Sequence, residues 1–201
     1  GAITTFWLLL PIALAVLLVL LLATLAIHQR RSTLRMRKLA HTDELTSAPN
    51  RRAVLSRLAA TLVGGGAGPC TILITDIDHF KGINDRHGHP AGDRVLKNLA
   101  RILRQRLRSS DVVGRYGGEE FAVIFSDTPG RNARLVLDGL RADFAAIPNE
   151  SESGPFQVTF SAGIASVPAR ASVRELLLSA DRALYRAKQA GRNQVVLDDI
   201  S

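Results

Sequence analysis

Asp76-Ile77-Asp78 and Gly117-Gly118-Glu119-Glu120 carry the residue types of this chain best suited to chemistry. The second group lies in Arg115-Tyr116-Gly117-Gly118-Glu119-Glu120-Phe121, between the apolar runs 112–113 and 121–125, and reads as a β-hairpin tip. Two adjacent glycines are expected to supply the positive φ angles of a tight turn and to leave it bare of side chains. Backbone amides can then approach a ligand closely, and the carboxylates add hard oxygen donors. That combination suits a polyphosphate carried by a divalent metal. For this hairpin alone, a solvated acidic turn is an equal reading. Asp76-Ile77-Asp78 follows a short apolar strand, 71–74, and places two carboxylates on one face. The exit of a buried strand is where α/β proteins tend to place their chemistry. With Glu119 on a neighbouring strand, these groups could hold one or two Mg²⁺ ions, which polarise a phosphate and lower the pKa of an attacking hydroxyl. Capping of the next helix is the plainer use of the aspartates.

Periodicity sets the elements that must position these residues. Helices are expected over 51–63, 91–108, 132–145 and 173–190, and strands over 71–74, 156–161 and 194–197. In the second helix Val95, Leu96, Leu99, Ile102, Leu103 and Leu107 share one face. Thr42-Asp43-Glu44-Leu45-Thr46 reads as a capping-type turn, and 64–69 as a glycine-rich connection. Alternating helices and strands with one hairpin predict an α/β or α+β domain built on a single mixed sheet. Cys70, alone in the chain, reads as a buried core thiol.

Jointly, these motifs resemble the GGDEF family of diguanylate cyclases. The likeness runs from Asp43 to Asn193. It takes in Asp43-Glu44-Leu45-Thr46 with Asn50-Arg51, Asp76–Lys81 with Asn84-Asp85, Gly88-His89 with Gly92-Asp93, and Gly117–Phe121. Ser161-Ala162-Gly163-Ile164, Ala183–Lys188 and Gly191-Arg192-Asn193 complete it. The resemblance implies a palm-like nucleotidyl-cyclase fold, with a central mixed, mainly antiparallel sheet flanked by helices. It implies condensation of two GTP into cyclic di-GMP with release of two pyrophosphates, across a homodimer of domains. It also implies Mg²⁺ or Mn²⁺, two per active site. Asp76 and Glu119, with the backbone carbonyl of Ile77, correspond to the metal ligands, supported by Glu120. Glu119 is also implied to help deprotonate the attacking 3′-hydroxyl. Asn84 and Asp93 match the guanine-reading pair, with His89 close by. Lys81, Lys188 and Arg192 match the phosphate-neutralising cations, and Gly117 and Gly118 let the backbone reach the nucleotide. Asp78 is expected to be structural. Arg108-Ser109-Ser110-Asp111 matches the inhibitory product site, with Arg104 one turn earlier. Departures are small: Glu119 replaces Asp in the family motif, and Ser47-Ala48 stands where Gly-Leu is frequent.

From Phe6 to Ile27 there is no charged residue. About 22 residues at ~1.5 Å each would reach ~33 Å, enough to cross a bilayer's hydrocarbon core. Trp7 fits an interfacial anchor, and Arg30, Arg31, Arg35, Arg37 and Lys38 predict that the C-terminal side of the run faces the cytoplasm. A transmembrane helix over 1–28, a basic linker helix over 29–42 and a cyclase domain over 43–201 are therefore expected, at the inner membrane of a bacterium. A cleaved signal peptide fits less well, because the apolar run is long and no basic residue precedes it. The net charge of +8 has anionic lipid as its nearer partner. Aromatics make up only 5% of the chain, with no interleaved stacking pattern, which argues against a nucleic-acid platform. Two other functions compete with the cyclase: a catalytically silent receptor for GTP or cyclic di-GMP, and a lipid-binding module. Intact metal and guanine positions weigh against the first, and the ordered carboxylates against the second.

Overall fold

The structure is a computed structural model that describes residues 17–30, 41–63, 69–167 and 172–199. Contacts divide the chain into Gly1–Ala40 and His41–Ser201. In the first unit, residues 17–30 are helical (α1), and its large apolar side chains from Leu17 to Ile27 are each more than half exposed. Among the described residues no helix is long and apolar enough to cross a membrane. The first part of the expected span, up to residue 16, and most of the expected linker helix lie outside the described residues, as does the connection 64–68.

In the second unit the order is α2 (Arg51–Val63), β1 (Cys70–Ile77), α3 (Phe80–His87), α4 (His89–Arg106), β2 (Val112–Arg115), β3 (Glu120–Phe125), α5 (Gly130–Ala145), β4 (Asn149–Ser151), β5 (Gly154–Phe156), β6 (Phe160–Val167), α6 (Val173–Gln189) and β7 (Val195–Asp199). Five strands form one sheet in the order β2-β3-β1-β6-β7, and β4-β5 form a separate hairpin. Pairing is antiparallel except for β6 with β7. The expected mixed, mainly antiparallel sheet flanked by helices is therefore present.

β1 is the centre, buried along its whole length because both sheet faces are covered. Leu73 and Ile77 face a core built with Val95, Leu99 and Leu103 of α4 and Leu137 and Phe144 of α5. Cys70, Ile72 and Ile74 face the other core, with Val54 and Leu58 of α2 and Leu176, Ala180 and Leu184 of α6. Period-two alternation puts Asp76 on this second face, where the strand leaves the sheet. The α6 helix lies unusually close to β6: a Cβ on Gly163 would run into the backbone of Ala180 and Leu184. A capping box starts α6. Ser172 accepts from the Glu175 amide, and the Glu175 carboxylate accepts from the Ser172 amide.

Two expectations change. The strand read over 156–161 is two strands, β5 and β6, separated at 157–159. Thr159 turns to Asp78, accepting its amide at 2.9 Å and donating its hydroxyl to Oδ2 at 2.7 Å. Second, α3 and the β4–β5 hairpin are additional to the expected elements. Cys70 is buried as expected, and burial raises its thiol pKa.

Candidate active site

At the exit of β1 the sheet gathers four acidic residues. Asp76 pairs in register with Glu120 of β3 on one side and Ser161 of β6 on the other. The Ile77 amide donates to the Glu119 carbonyl at 3.4 Å, so the motif's first carboxylate rides on the turn directly beside β1. Asp76 is 7% exposed; Glu119 and Glu120 are half-buried. Lys188, near the end of α6, reaches down to Asp76 with Nζ 2.9 Å from Oδ2.

The electrostatics follow from crowding. Burial raises the pKa of Asp76, and repulsion from Asp78 adds to it, while Lys188 and Arg192 pull the other way. Glu119 is raised by desolvation and then by Asp76. Glu120 is raised by desolvation, then by Asp76 and Asp181. Asp181 is itself raised by desolvation, with Arg51 opposing. A site that pushes several carboxylates up together is one in which added positive charge is strongly favoured. Hard carboxylate oxygens with the Ile77 carbonyl nearby are the donor chemistry of a small divalent cation. Among the described residues, no three His, Cys, Asp or Glu side chains converge tightly enough to hold an ion as they stand, and Asp76 is turned to Lys188. The residue types and their mutual repulsion fit a divalent cation.

Asp78 plays a different part from Asp76. It is 4% exposed and accepts from Thr159 Oγ1 (2.7 Å), Ser161 Oγ (2.7 Å) and the Asn193 amide (3.0 Å). The last of these bonds fixes the turn after α6, where Gly191, Arg192 and Asn193 are all left-handed, with φ of 108°, 65° and 47°. Asp78 therefore holds the segment that carries Arg192 toward Asp76, a structural role.

The hairpin corrects one expectation. Neither Gly117 nor Gly118 has a positive φ. Space at 117 is taken up instead: a Cβ there would collide with Oε2 of Glu120, whose carboxylate folds back over the turn and would have to move. Gly118 faces open space. Arg115 braces the turn: Nε and Nη2 donate to the Gly118 carbonyl at 3.1 and 2.7 Å, and Nη1 donates to both Asp43 oxygens at 3.2 and 3.1 Å.

Asn84 and Gly92, the residue before Asp93, meet across the α3–α4 corner. The Asn84 carboxamide lies against Gly92, in space that a Cβ would fill. Lys81, His89 and Asp93 are exposed and Asn84 is half-buried. Arg108 and Asp111 form a turn between α4 and β2. The Arg108 amide donates to Asp111 Oδ2 and the Asp111 amide to the Arg108 carbonyl, each at 3.0 Å. Surface depressions open on both sides of this turn. Arg104 donates to the Thr46 carbonyl at 3.1 Å, so its guanidinium serves the domain's first turn.

Two residues of the site have no role assigned from the sequence: Asp181 is not singled out there, and Arg51 figures only in the motif Asn50-Arg51. Asp181 lies near Glu120, and Arg51 stacks on the Tyr116 ring at 4.7 Å. Asp181 precedes Lys188 by two helical turns, a spacing that places both on one face of α6.

The fold is the palm-like α/β arrangement. Residues 40–194 match the family described as diguanylate cyclase, GGDEF domain, and the chain belongs to that family. Diguanylate cyclase DgcP of Pseudomonas aeruginosa is 44% identical over 161 residues, covering 79% of this chain and 24% of that protein. Response regulator PleD of Caulobacter vibrioides is 40% identical over 167 residues, covering 79% of this chain and 36% of its own length. The chain thus spans well under half the length of these relatives. The coiled coil and GGDEF domain of DgcB from Caulobacter crescentus, solved in complex with c-di-GMP, superposes with a TM-score of 0.81 at 30% identity, over 87% of this chain and 95% of that one. The active GGEEF domain of a diguanylate cyclase from Vibrio cholerae superposes at 0.70 with 31% identity, over 76% and 98%.

Proposed function

We propose that this chain is a diguanylate cyclase that condenses two GTP into cyclic di-GMP and two pyrophosphates. The observation that carries the reading is the crowding of Asp76, Glu119 and Glu120, all with raised pKa, beside the Lys188 ammonium at one end of β1. Asp76, Glu119 and the Ile77 carbonyl would hold Mg²⁺ or Mn²⁺, with Glu120 supporting them. Bound there, the cation polarises the α-phosphate, favours the 3′-alkoxide and neutralises the departing pyrophosphate. Asn84 and Asp93 read guanine, the carboxamide meeting O6 and the carboxylate the N1 and N2 hydrogens. His89 borders the base. Lys81, Lys188 and Arg192 neutralise the phosphates.

One domain holds one GTP, so two domains must face each other. Each 3′-oxygen attacks the α-phosphorus of the opposite nucleotide. Two P–O ester bonds form, two bonds to pyrophosphate break, and the two hydroxyl protons pass to Glu119 or to water. Alignment of the paired reactants supplies much of the acceleration. Product bound at Arg108 and Asp111 would hold domains apart, and a bidentate guanidinium suits guanine's O6/N7 edge. Membrane anchoring through the apolar N-terminal segment is part of the same reading, supported by its uncharged run and the basic residues after it.

The test incubates the purified chain with GTP and Mg²⁺ and resolves products by chromatography, with Glu119→Gln as control. Cyclic di-GMP from the wild type alone is expected. A folded, dimeric, GTP-binding wild type that makes none would instead be a silent receptor.

A further inference from the structure

The α3–α4 corner that carries Asn84 and Asp93 is weakly built from its own sequence. The α3 helix has eight residues, and neither helix has a side-chain cap at its start. Gly88 joins them at φ 80° and ψ 157°, serving as the end of one and the start of the other. So short a helix is marginal alone, and its order must come from what packs on it.

Phe80 and Ile83 anchor its buried face in the main core, and its C-terminal end carries the β4–β5 hairpin, which stands apart from the main sheet. Two three-residue strands are themselves marginal, so hairpin and corner depend on each other. The His87 ring stacks on Phe156 with centroids 4.0 Å apart and planes at 13°. His87 Nδ1 lies 2.7 Å from Ser151 Oγ. The Ser151 hydroxyl donates to the Gly154 carbonyl, which assigns Nδ1 of His87 as the donor to Ser151. Ser153 Oγ donates to the Arg86 carbonyl at 3.1 Å, and Arg94 Nη2 donates to the Glu150 carbonyl at 2.6 Å. The hairpin root is held in turn, since buried Asn149 donates to the Ile147 carbonyl at 3.1 Å.

These contacts fall on Arg86 and His87, just after Asn84, and on Arg94, the neighbour of Asp93. We infer that the β4–β5 hairpin is the positioning element of the base-reading corner, and that His87, clamped between Phe156 and Ser151, is the positioning residue through which it fixes Asn84 relative to Asp93. The inference rests on the proposed reading of guanine by that pair. The clamp's stack and hydrogen bonds involve neither Asp76, Glu119 nor Lys188. The clamp therefore acts on recognition of the base and leaves phosphoryl transfer alone.

The test uses the full chain and compares GTP with ITP, which lacks the 2-amino group. For Phe156→Ala and Ser151→Ala, KM for GTP is expected to rise about tenfold and about threefold, the scale of a lost aromatic stack and a lost hydrogen bond. The GTP-over-ITP preference in kcat/KM should fall by similar factors, with kcat kept within about twofold. His87→Phe keeps the stack and should recover most of the preference that His87→Ala loses. Far-ultraviolet circular dichroism and thermal melts confirm folding, and Ser151→Ala, the milder change, keeps the test available if Phe156→Ala does not fold. Unchanged KM and preference in folded variants overturn the clamp, as does a fall in kcat alone. Asn84→Ala and Asp93→Ala separate the two claims. If they leave the preference intact, the guanine reading fails and the clamp with it. If they abolish it while the hairpin variants do not, the clamp alone fails.

Discussion

Lys188 Nζ lies 2.9 Å from Oδ2 of Asp76, closing the long path from the end of α6 back to the exit of β1. The contact exists because Gly163 lets the α6 backbone settle directly on β6. Asp76 is almost buried, and a lone carboxylate there would carry the full cost of desolvation. Lys188 meets that carboxylate, and in the proposed reaction it would also meet a phosphate. Lys188→Met should therefore act in two ways. Cyclase activity should drop about 100-fold, the usual scale for removing one preorganised charge from a transition state. The Asp76 carboxyl should titrate at a still higher pH, readable by NMR. Activity within threefold of wild type would remove Lys188 from the reaction.

The raised carboxylates make a prediction about stability. Asp76, Glu119 and Glu120 hold their protons more tightly folded than unfolded. Between the ordinary carboxylate range and the raised pKa values the folded state binds more protons. Stability therefore falls as pH rises through that window, and the loss is complete once pH exceeds the raised values. Glu120→Gln should raise Tm at pH 7 by about 2–4 °C, the shift ~1 kcal/mol gives in a chain of this size. Mg²⁺ should raise the wild-type Tm at pH 7 and lose that effect on acidification through the same window. A Glu120→Gln variant that melts below wild type would mean the carboxylate is stabilising as it stands.

The two hairpin glycines should not behave alike. Alanine at 117 drives a methyl into Glu120 Oε2, so the carboxylate must leave the turn. Alanine at 118 meets nothing in the free protein. Gly117→Ala is expected to weaken the apparent Mg²⁺ affinity about tenfold or more, in line with loss of a group that orients metal ligands. Gly118→Ala should leave Tm within about 1 °C of wild type, as a substitution that disturbs no packing does. Any activity it loses then reports on the nucleotide alone. Equal effects on Mg²⁺ affinity in both would contradict the geometry. Titration of activity against Mg²⁺ decides it.

These glycines also mark where sequence stops being legible. A Gly-Gly pair before a strand reads as a positive-φ turn because that is glycine's commonest use. What the structure shows there, a neighbour's carboxylate occupying the space, appears only once Glu120 has been placed. The continuous apolar run of β1 and the one-sided face of α4 were plain, since burial there follows the local pattern. The α3 helix was not, because only Phe80 and Ile83 are buried and it starts at His79, in a left-handed conformation with no capping bond. The run 156–161 looked like one strand because its apolar residues, Phe156, Val158 and Phe160, alternate unbroken through a gap that Asp78 imposes from elsewhere. Asp181 was missed, and Arg51 was seen only as part of a motif, because each works across elements. Membership of the carboxylates in one site was legible; how far each perturbs the next was not.

Arg115 and Asp43 offer the last prediction. Their side chains are 17% and 21% exposed, and the guanidinium spends its remaining donors on the Gly118 carbonyl. Burial raises the Asp43 pKa, but bonds from the Thr46 hydroxyl and amide and from Arg115 outweigh it, so the net shift is downward. A lowered carboxylate contributes stability that is present above its unfolded pKa and is lost as pH falls through the folded value. Arg115→Ala removes a half-buried, doubly bonded partner and should cost about 2–3 kcal/mol in urea unfolding at pH 7. Asp43→Ala should cost less, because Gly118 still accepts from Arg115. A double-mutant cycle should return a coupling of about 1–2 kcal/mol at pH 7 that fades once pH drops below the ordinary aspartate range. The same pair joins the first turn of the domain to the Gly118 carbonyl of the β2–β3 hairpin, so under the proposed function Arg115→Ala should also lower kcat in proportion to how far Gly118 drifts. Zero coupling at pH 7 would leave the two residues as neighbours without energetic consequence, and the hairpin would then depend on Arg115 alone.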